Sequence, residues 1–337
     1  MRLDEFDYEL PDERIAQHAV EPRDAARLLV DQGAADPLHR HVRDLPEFLR
    51  DGDVLVVNDS KVIPARLRLR RETGGAAEVL LLEPLDTDRR TWEAMVRPAR
   101  KLKPGEELWS DDTPLVRIER RSEAGDTTVV SLVGDGDPLA LLQRHGEMPL
   151  PPYITAPLDR PDRYQTVYAH EPASAAAPTA GLHFTPELLE SIEARGIQVA
   201  RVELVVGLDT FKPVSVPDPR DHQIHSERYR VPTSTLDAVG SARRVVAVGT
   251  TSVRALESAA TFGETEGRTR LFIHRPYEWK TVDVLMTNFH LPRTTLLMMI
   301  DAFVGPRWRR LYDIAIAEKY RFLSFGDAML LDRHARG

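Results

Sequence analysis

The chain has 337 residues, a formal net charge of −8, 42% hydrophobic residues and no cysteine. This length exceeds the usual size of one hydrophobic core, so we expect two domains, and the absence of cysteine excludes disulfides, thiolate metal ligands and cysteine nucleophiles. No run approaches the ~20 apolar residues of a membrane span, and the acidic N-terminus is unlike a signal peptide, so we expect a cytoplasmic protein.

The first buried strand is predicted by the apolar run Val54–Val57. Asn58 and Lys61 follow it, where we expect an amide and an ammonium group to contact a ligand. Lys61 is equally suited to contact a phosphate as an exposed cation.

Short alternating segments separated by turn-rich stretches extend from Arg66 to about Val133. This pattern predicts an antiparallel β-barrel. Before and after it helices alternate with strands, which indicates an α/β domain. We therefore predict a large α/β domain, residues 1–64 and 152–337, interrupted by a small antiparallel β-barrel domain, residues 65–151.

The loop Pro178–Phe184 consists of small residues and one histidine, and it precedes a helix start. Thr185 is a suitable N-cap and Gly196 ends the helix. Backbone donors and a titratable ring therefore converge at one turn. From this loop we select Thr179, Gly181 and His183 as candidate site residues.

A strand, a polar turn and a helix follow one another twice more downstream. Val245–Gly249 leads into three hydroxyl residues and a helical pattern, and Val282–Met286 leads through Asn288 and His290 into another helix. Backbone N–H groups and hydroxyls at a helix start can bind a phosphate, carboxylate or ribose. Ligands of open α/β sheets bind at the carboxyl ends of strands, so we expect these corners to share one cleft. The candidate ligand-binding residues are Thr250, Thr251, Ser252, Arg254 and Asn288.

His183 and His290 are the first candidates for a general base or acid, because histidine titrates near neutral pH. Each ring can alternatively orient its loop by hydrogen bonding. The hydroxyls at 250–252 can likewise cap a helix without any ligand, whereas Arg254 has the better claim to bind an anionic group such as a carboxylate.

His222, His225 and Glu227 raise the alternative of a zinc site. A further strong ligand is not evident in this segment, so we expect no metal. We assign His225 and Glu227 to substrate positioning or proton transfer instead.

A resemblance to a known family is carried by long segments distributed along the chain: Phe6–Pro11, Val57–Leu67, Gly146–Ile154, Tyr164–Tyr168, the loop before His183, Asp221-His222, His225-Ser226-Glu227, Ala247–Ser258, Thr287–Pro292 and Tyr320–Met329. In the same order they resemble the S-adenosylmethionine:tRNA ribosyltransferase-isomerases of queuosine synthesis. The resemblance spans nearly the whole chain and implies the same two-domain division.

The resemblance implies that the ribosyl part of S-adenosylmethionine is transferred and isomerised onto the aminomethyl-deazaguanine wobble base of tRNA. The product is epoxyqueuosine-tRNA, and adenine and methionine are released. The sulfonium acidifies the neighbouring ribose carbon, so a positioned base can remove a proton there. S-adenosylmethionine is then a substrate, tRNA is a partner, no metal or redox cofactor is required, and no obligate protein partner is evident.

The net charge of −8 argues against indiscriminate binding of nucleic acid, so any RNA contact must be local. The candidate cation clusters are Lys61, Arg66, Arg68, Arg70 and Arg71; then Arg97, Arg100, Lys101 and Lys103; then Arg307, Arg309 and Arg310. Each cluster taken alone is equally typical of a solvated surface. The resemblance, rather than the charge, favours tRNA.

Two segments depart from the family pattern. Where the family usually reads Leu-His-Val-Gly-Ala-Gly-Thr-Phe, this chain has Leu204–Phe211, with Asp209 at the second glycine. Asp209 can offer its carboxylate to a different amine acceptor or stabilise a turn. Where the family has Tyr-Pro-Gly and an aromatic residue, His274–Tyr277 changes the turn and adds the charge of Arg275.

These departures leave two other functions open. One is a divergent enzyme that cleaves S-adenosylmethionine or transfers its ribosyl group to a different acceptor, such as a small molecule. The other is a non-catalytic RNA-binding descendant. The polar corners argue against the latter, because binding through basic patches alone does not need them.

Overall fold

The computed structural model describes residues 1–122, 125, 127–206, 214, 216–222, 224 and 226–335. These residues form a mixed sheet covered by helices and a closed antiparallel barrel, so the predicted fold class is confirmed. In the same ranges, no helix has the length and apolar character needed to cross a bilayer.

The larger sheet is built around four parallel strands. Within the described residues its spatial order is β16 (Glu266–Thr269), β14 (Glu227–Arg230), β13 (Gln198–Leu204), β3 (Asp53–Asn58), β15 (Arg244–Val248), β17 (Val284–Asn288), β18 (Ala328–Asp332), β1 (Arg27–Val30) and β2 (Leu38–His41). Each neighbouring pair in the series β13, β3, β15 and β17 is parallel. The carboxyl ends of these four strands therefore lie at one edge of the sheet.

Both faces of this sheet are covered. Val54 and Val56 of β3 pack into the core on one face, and Leu55 and Val57 pack into the core on the other. Such a strand reads as a continuous apolar run because it is buried on both sides. The helices on the first face are α3 (Thr233–Ser241), α4 (Thr250–Phe262), α5 (Thr295–Val304) and α6 (Trp308–Ala317), and the second face carries α2 (Pro186–Ala194) and a 3-10 helix, Val42–Phe48.

The predicted helix ends are confirmed by their capping contacts. The Thr185 hydroxyl oxygen accepts a hydrogen bond from the Leu188 N–H at 3.1 Å at the start of α2. Gly196, just beyond α2, has a φ of +79°, a conformation that favours glycine. These two signals hold the loop that precedes α2 at a defined place.

The barrel closes on itself. Within the described residues its strands are, in spatial order, β5 (Arg66–Arg71), β6 (Ala76–Pro84), β7 (Thr91–Arg97), β10 (Thr128–Leu132), β9 (Thr113–Arg121) and β8 (Glu107–Ser110). Pairing of Arg70 with Trp109 and of Arg71 with Leu108 joins β5 to β8. β8 shows no alternating pattern in the sequence, because four residues between two turns are too few for one.

Short elements connect the two parts of the chain. A small parallel sheet joins β4 (Ser60–Val62) to β12 (Glu171–Ser174), and α1 (Pro138–His145) leads into β11 (Gly146–Glu147), which pairs with β5. The barrel strands, α1 and β11 thus fall between residues 65 and 151. The exact domain boundaries stay a prediction.

Gly146 lies at the junction where α1 ends and β11 begins. A Cβ atom on Gly146 would lie 1.9 Å from the backbone oxygen of Pro64 and 2.7 Å from that of Leu142. Both neighbours are backbone atoms, which cannot rotate away as a flexible side chain can. The close approach of these segments therefore requires glycine.

We predict that Gly146→Ala lowers the free energy of unfolding by about 2–3 kcal/mol, because the added methyl group forces the backbone apart. Urea denaturation measures the change. Gly240→Ala in α3 is the matched control, because its Cβ would meet nothing within 4 Å; it should be neutral or stabilising by up to about 1 kcal/mol. Equal stabilities of the two variants would contradict this packing.

Candidate active site

A cavity of about 510 Å³ lies at the carboxyl edge of the parallel strands. Its wall includes Thr179 and Ala180, the segment Gly249–Thr251 at the start of α4, and the segment Thr287–Leu291 at the carboxyl end of β17. The three corners that were predicted to share one cleft do meet here. Much of the remaining wall is apolar, as at Leu271–Ile273.

The start of α4 has no side-chain cap within the described part of the chain. Gly249 has a φ of +85°, which only glycine adopts readily, and it turns the chain from β15 into the helix. Thr250 and Thr251 line the cavity. Ser252 is fully buried, and its hydroxyl donates to the Val248 carbonyl at 2.7 Å. Ser252 therefore stabilises the turn, whereas its two neighbours can contact a ligand.

Arg254 stands about one turn into α4, where it is buried and yet borders the cavity. Its Nη1 donates to Oε2 of Glu227, a buried carboxylate that also lines the cavity. Nε and Nη2 of Arg254 have no hydrogen-bond partner among the described residues. A buried guanidinium with unused donors is costly unless another group accepts them. This part of the wall is therefore suited to an anionic group.

A hydrogen-bonded chain of side chains joins two of the corners. The Thr179 hydroxyl donates to Oδ1 of Asn288 at 2.8 Å, and Nδ2 of Asn288 donates to Nε2 of His183 at 3.1 Å. Thr179 and Asn288 line the cavity, whereas His183 is buried behind them and outside its wall. His183 is thus linked to the cavity through the amide of Asn288.

His290 borders the cavity directly. Its Nε2 lies 3.0 Å from the Thr287 hydroxyl, its backbone N–H donates to the Tyr312 hydroxyl at 3.0 Å, and its carbonyl accepts from Tyr8. These contacts fix both the ring and the backbone of this residue.

Burial lowers the pKa of His183 to about 4 and the pKa of His290 to about 3. The expectation that these rings titrate near neutral pH is therefore corrected, because desolvation disfavours the charged form. Both rings are neutral at physiological pH. Neither ring therefore provides an imidazolium donor there, and the low pKa values make both rings weak bases.

Similarity to known proteins covers nearly the whole chain. Residues 3–331 match the family model described as queuosine biosynthesis protein. The chain belongs to this family. The S-adenosylmethionine:tRNA ribosyltransferase-isomerase of Symbiobacterium thermophilum is 52% identical in an alignment of 342 positions, which covers 98% of this chain and 100% of the relative.

Two comparisons with Thermotoga maritima agree with this assignment to the queuosine family. An S-adenosylmethionine:tRNA ribosyltransferase-isomerase from that organism is 48% identical over 98% of this chain and 100% of the relative. The crystal structure of an S-adenosylmethionine tRNA ribosyltransferase matches with a TM-score of 0.55 and 40% identity, covering 97% of this chain and 99% of that one. The family resemblance predicted from the sequence is confirmed.

Six predicted site residues lie outside the cavity wall: Asn58, Lys61, Arg66, Gly181, His183 and Ser252. The Asn58 amide serves the backbone, since its Nδ2 donates to the Leu204 carbonyl at 3.0 Å and its Oδ1 accepts from the Ser60 N–H at 3.1 Å. It thereby ties the end of β3 to β13 and is not directed at the cavity.

Lys61 is exposed, and Arg66 and Gly181 have structural roles. Lys61 is exposed on β4, and Arg66 donates to the Leu150 carbonyl at 3.2 Å. A Cβ on Gly181 would lie 2.0 Å from the Tyr168 hydroxyl oxygen, so this glycine permits close packing. Their predicted ligand contacts stay predictions that the cavity does not support.

Asp209 and His225 lie outside the described residues, so their predicted roles stay predictions. The zinc alternative depends in part on His225 and stays untested for the same reason. Within the described ranges, no group of three or more His, Cys, Asp or Glu side chains could hold a metal ion.

Tyr153 and Ser324 line the cavity and were not selected from the sequence. Their hydroxyl oxygens lie 2.7 Å apart, so they form a polar pair in the wall. Both belong to segments that carry the family resemblance, which was the available signal. The apolar segment Leu271–Ile273 carries no motif and could not have been selected.

Arg275, in one of the two departures from the family pattern, is neutralised by an acidic partner. Its Nε and Nη2 lie 2.5 Å and 2.9 Å from the carboxylate oxygens of Asp301, a buried residue of α5. Asp301 also accepts from Trp308 Nε1 at 3.0 Å. The added charge thus balances a buried carboxylate and gives no reason to expect a different acceptor.

We predict that acid destabilises the fold through the buried histidines. Between pH 6.5 and about 4 the unfolded chain binds a proton that folded His183 excludes, so the free energy of unfolding falls as the pH falls through this window. The loss from His183 approaches about 3 kcal/mol.

Denaturation of wild type and His183→Gln at several pH values measures this effect. Glutamine retains a hydrogen-bonding group but does not titrate, so the stability difference between the two proteins should shift in favour of the variant as the pH is lowered. A difference that stays constant from pH 7 to pH 4 would show that the ring is not desolvated.

Proposed function

We propose that this chain is an S-adenosylmethionine:tRNA ribosyltransferase-isomerase. It transfers and isomerises the ribosyl group of S-adenosylmethionine onto the aminomethyl-deazaguanine wobble base of tRNA, with release of adenine and methionine. The cavity at the strand ends, with guanidinium donors that have no partner among the described residues, is the observation that carries the proposal. The names of the near-full-length relatives support it. A tRNA substrate makes the cytoplasm the location that we propose.

The cavity suits a nucleoside that carries an amino-acid tail. Its volume of about 510 Å³ lies within the ordinary range of small-molecule sites. Apolar residues such as Leu271 and Met299 provide contact area, while hydroxyls from Thr250 and Thr251 and the guanidinium of Arg254 provide polar contacts. A few polar groups in an apolar wall are what orient such a ligand.

We propose His290 as the proton acceptor. The sulfonium acidifies the adjacent ribose carbon, so the first step needs a base in its deprotonated form beside the bound donor. His290 is the histidine in the described part of the cavity wall, and burial keeps its ring deprotonated. A pKa of about 3 makes this ring a weak base, so the transfer depends on the acidity that the sulfonium gives the carbon. Asn288, held by Thr179 and His183, would position the sugar next to it.

We predict that adenine release requires the modified tRNA. Purified protein is incubated with S-adenosylmethionine and tRNA that carries the aminomethyl-deazaguanine, and adenine is followed by liquid chromatography. Adenine should appear in proportion to modified tRNA, because the amine must accept the ribosyl group. The matched control is the same tRNA with guanine at the wobble position. Release with a small amine, or without any acceptor, would favour a divergent enzyme.

The three cation clusters differ in whether their side chains pair with carboxylates. A cation without such a partner is the better candidate to bind a tRNA phosphate. Arg307 lies 2.8 Å from Asp31, and Arg310 pairs with Asp36. In the first cluster Arg68 pairs with Glu147 at 2.9 Å. Side chains of the middle cluster are exposed and have no hydrogen bond or ion pair among the described residues: Arg97, Arg100, Lys101 and Lys103. We propose that this barrel cluster contacts tRNA phosphates.

We predict that the double variant Lys101→Gln/Lys103→Gln weakens tRNA binding about tenfold at moderate salt. It should also reduce the slope of log K against log salt by about 1.5 to 2, because two phosphate contacts and their released counterions are lost. Arg310→Gln, whose side chain already pairs with Asp36, is the control and should leave the slope unchanged. A double variant with the wild-type slope would exclude this cluster.

A further inference from the structure

Arg254 and Glu227 form a nearly neutral pair in the cavity wall. Both residues are more than nine-tenths buried, with 9% of Arg254 and 3% of Glu227 exposed, and Nη1 of Arg254 donates to Oε2 of Glu227. Both residues line the cavity. The pair thus offers cationic donors and an anionic acceptor side by side.

Only part of the donor side of this pair is used within the described ranges. Nε and Nη2 of Arg254 and the hydroxyl of Thr251 are buried without a hydrogen-bond partner among the described residues. Thr251 lies in the first turn of α4, whose start has no side-chain cap within the described residues. The backbone N–H groups of this turn and the positive end of the helix dipole therefore also favour an anion at this place. These donors together fit the two oxygens of a carboxylate.

The Glu227 carboxylate determines which kind of anion can bind beside Arg254. A phosphate dianion bound by Arg254 would lie next to the Glu227 carboxylate and would be repelled by it. A group that carries a carboxylate and an ammonium meets no such penalty, because its ammonium can pair with Glu227. The local charges therefore match an α-amino acid in its zwitterionic form.

We propose that Arg254 and Thr251 bind the α-carboxylate, and Glu227 the α-ammonium, of the amino-acid tail of the donor nucleoside. The inference rests on the proposed function and adds how the donor is selected. Nucleosides that lack the amino-acid tail leave the buried guanidinium donors unpaired, and this mismatch makes them poor ligands.

Calorimetric binding of two nucleosides tests the proposal without tRNA and without turnover. S-adenosylhomocysteine has the amino-acid tail, and 5′-methylthioadenosine lacks it but retains the thioether and the nucleoside. Wild-type protein should prefer the former by about 100-fold or more, as expected for charge-assisted hydrogen bonds in a buried site. In Arg254→Met this preference should fall below about tenfold, with the affinity for 5′-methylthioadenosine retained.

Two further variants test the same contacts if Arg254→Met disturbs the fold. Glu227→Gln should reduce the preference through loss of the ammonium contact, and Arg254→Lys should reduce it less than methionine does. Arg275→Met is the matched control, since Arg275 pairs with Asp301 and lies outside the cavity wall; it should keep the wild-type preference.

A preference that is unchanged in both Arg254→Met and Glu227→Gln overturns the inference. So does competition by inorganic phosphate that depends on Arg254, because the site would then be an anion site of another kind. Failure of the proposed function appears separately. In that case wild-type protein prefers S-adenosylhomocysteine but releases no adenine with the modified tRNA.

Discussion

Parallel pairing of β13, β3, β15 and β17 is the constraint on which the site depends. It brings the carboxyl ends of four strands to one edge, and the loops that leave this edge form the cavity. Asn58 maintains the alignment by bonding its amide to the backbone of Leu204, and Gly249 lets the chain turn directly into α4. Residues far apart in sequence thus meet at one cavity.

Burial determines the electrostatics of the cavity. Desolvation keeps His183 and His290 neutral, and Arg254 is balanced by Glu227. A sulfonium donor carries its own positive charge, and a wall with imidazolium rings would repel it. The neutral rings therefore remove a penalty that exposed histidines would impose below neutral pH.

Much of the fold could be predicted from local signals, because caps, glycines and apolar runs act over a few residues. Thr185 and Gly196 delimit α2 as expected, whereas β8 was too short to detect. The site was harder to predict. Asn58 ends a strand and Arg254 lies in the helix that follows one. Only the packed structure shows that Asn58 serves the backbone, whereas Arg254 has donors in a cavity with no partner in the described part of the chain.

The segment that returns from the barrel has a consequence for the coupling of the two substrates. Pro151, Pro152 and Tyr153 come shortly after β11, which is paired with the first barrel strand, and they are also part of the cavity wall. Proline limits the backbone freedom of this segment, so it transmits displacement rather than absorbing it. The segment therefore connects the barrel to the cavity wall over a few residues, so a macromolecule bound to the barrel lies within a short stretch of chain of whatever occupies the cavity.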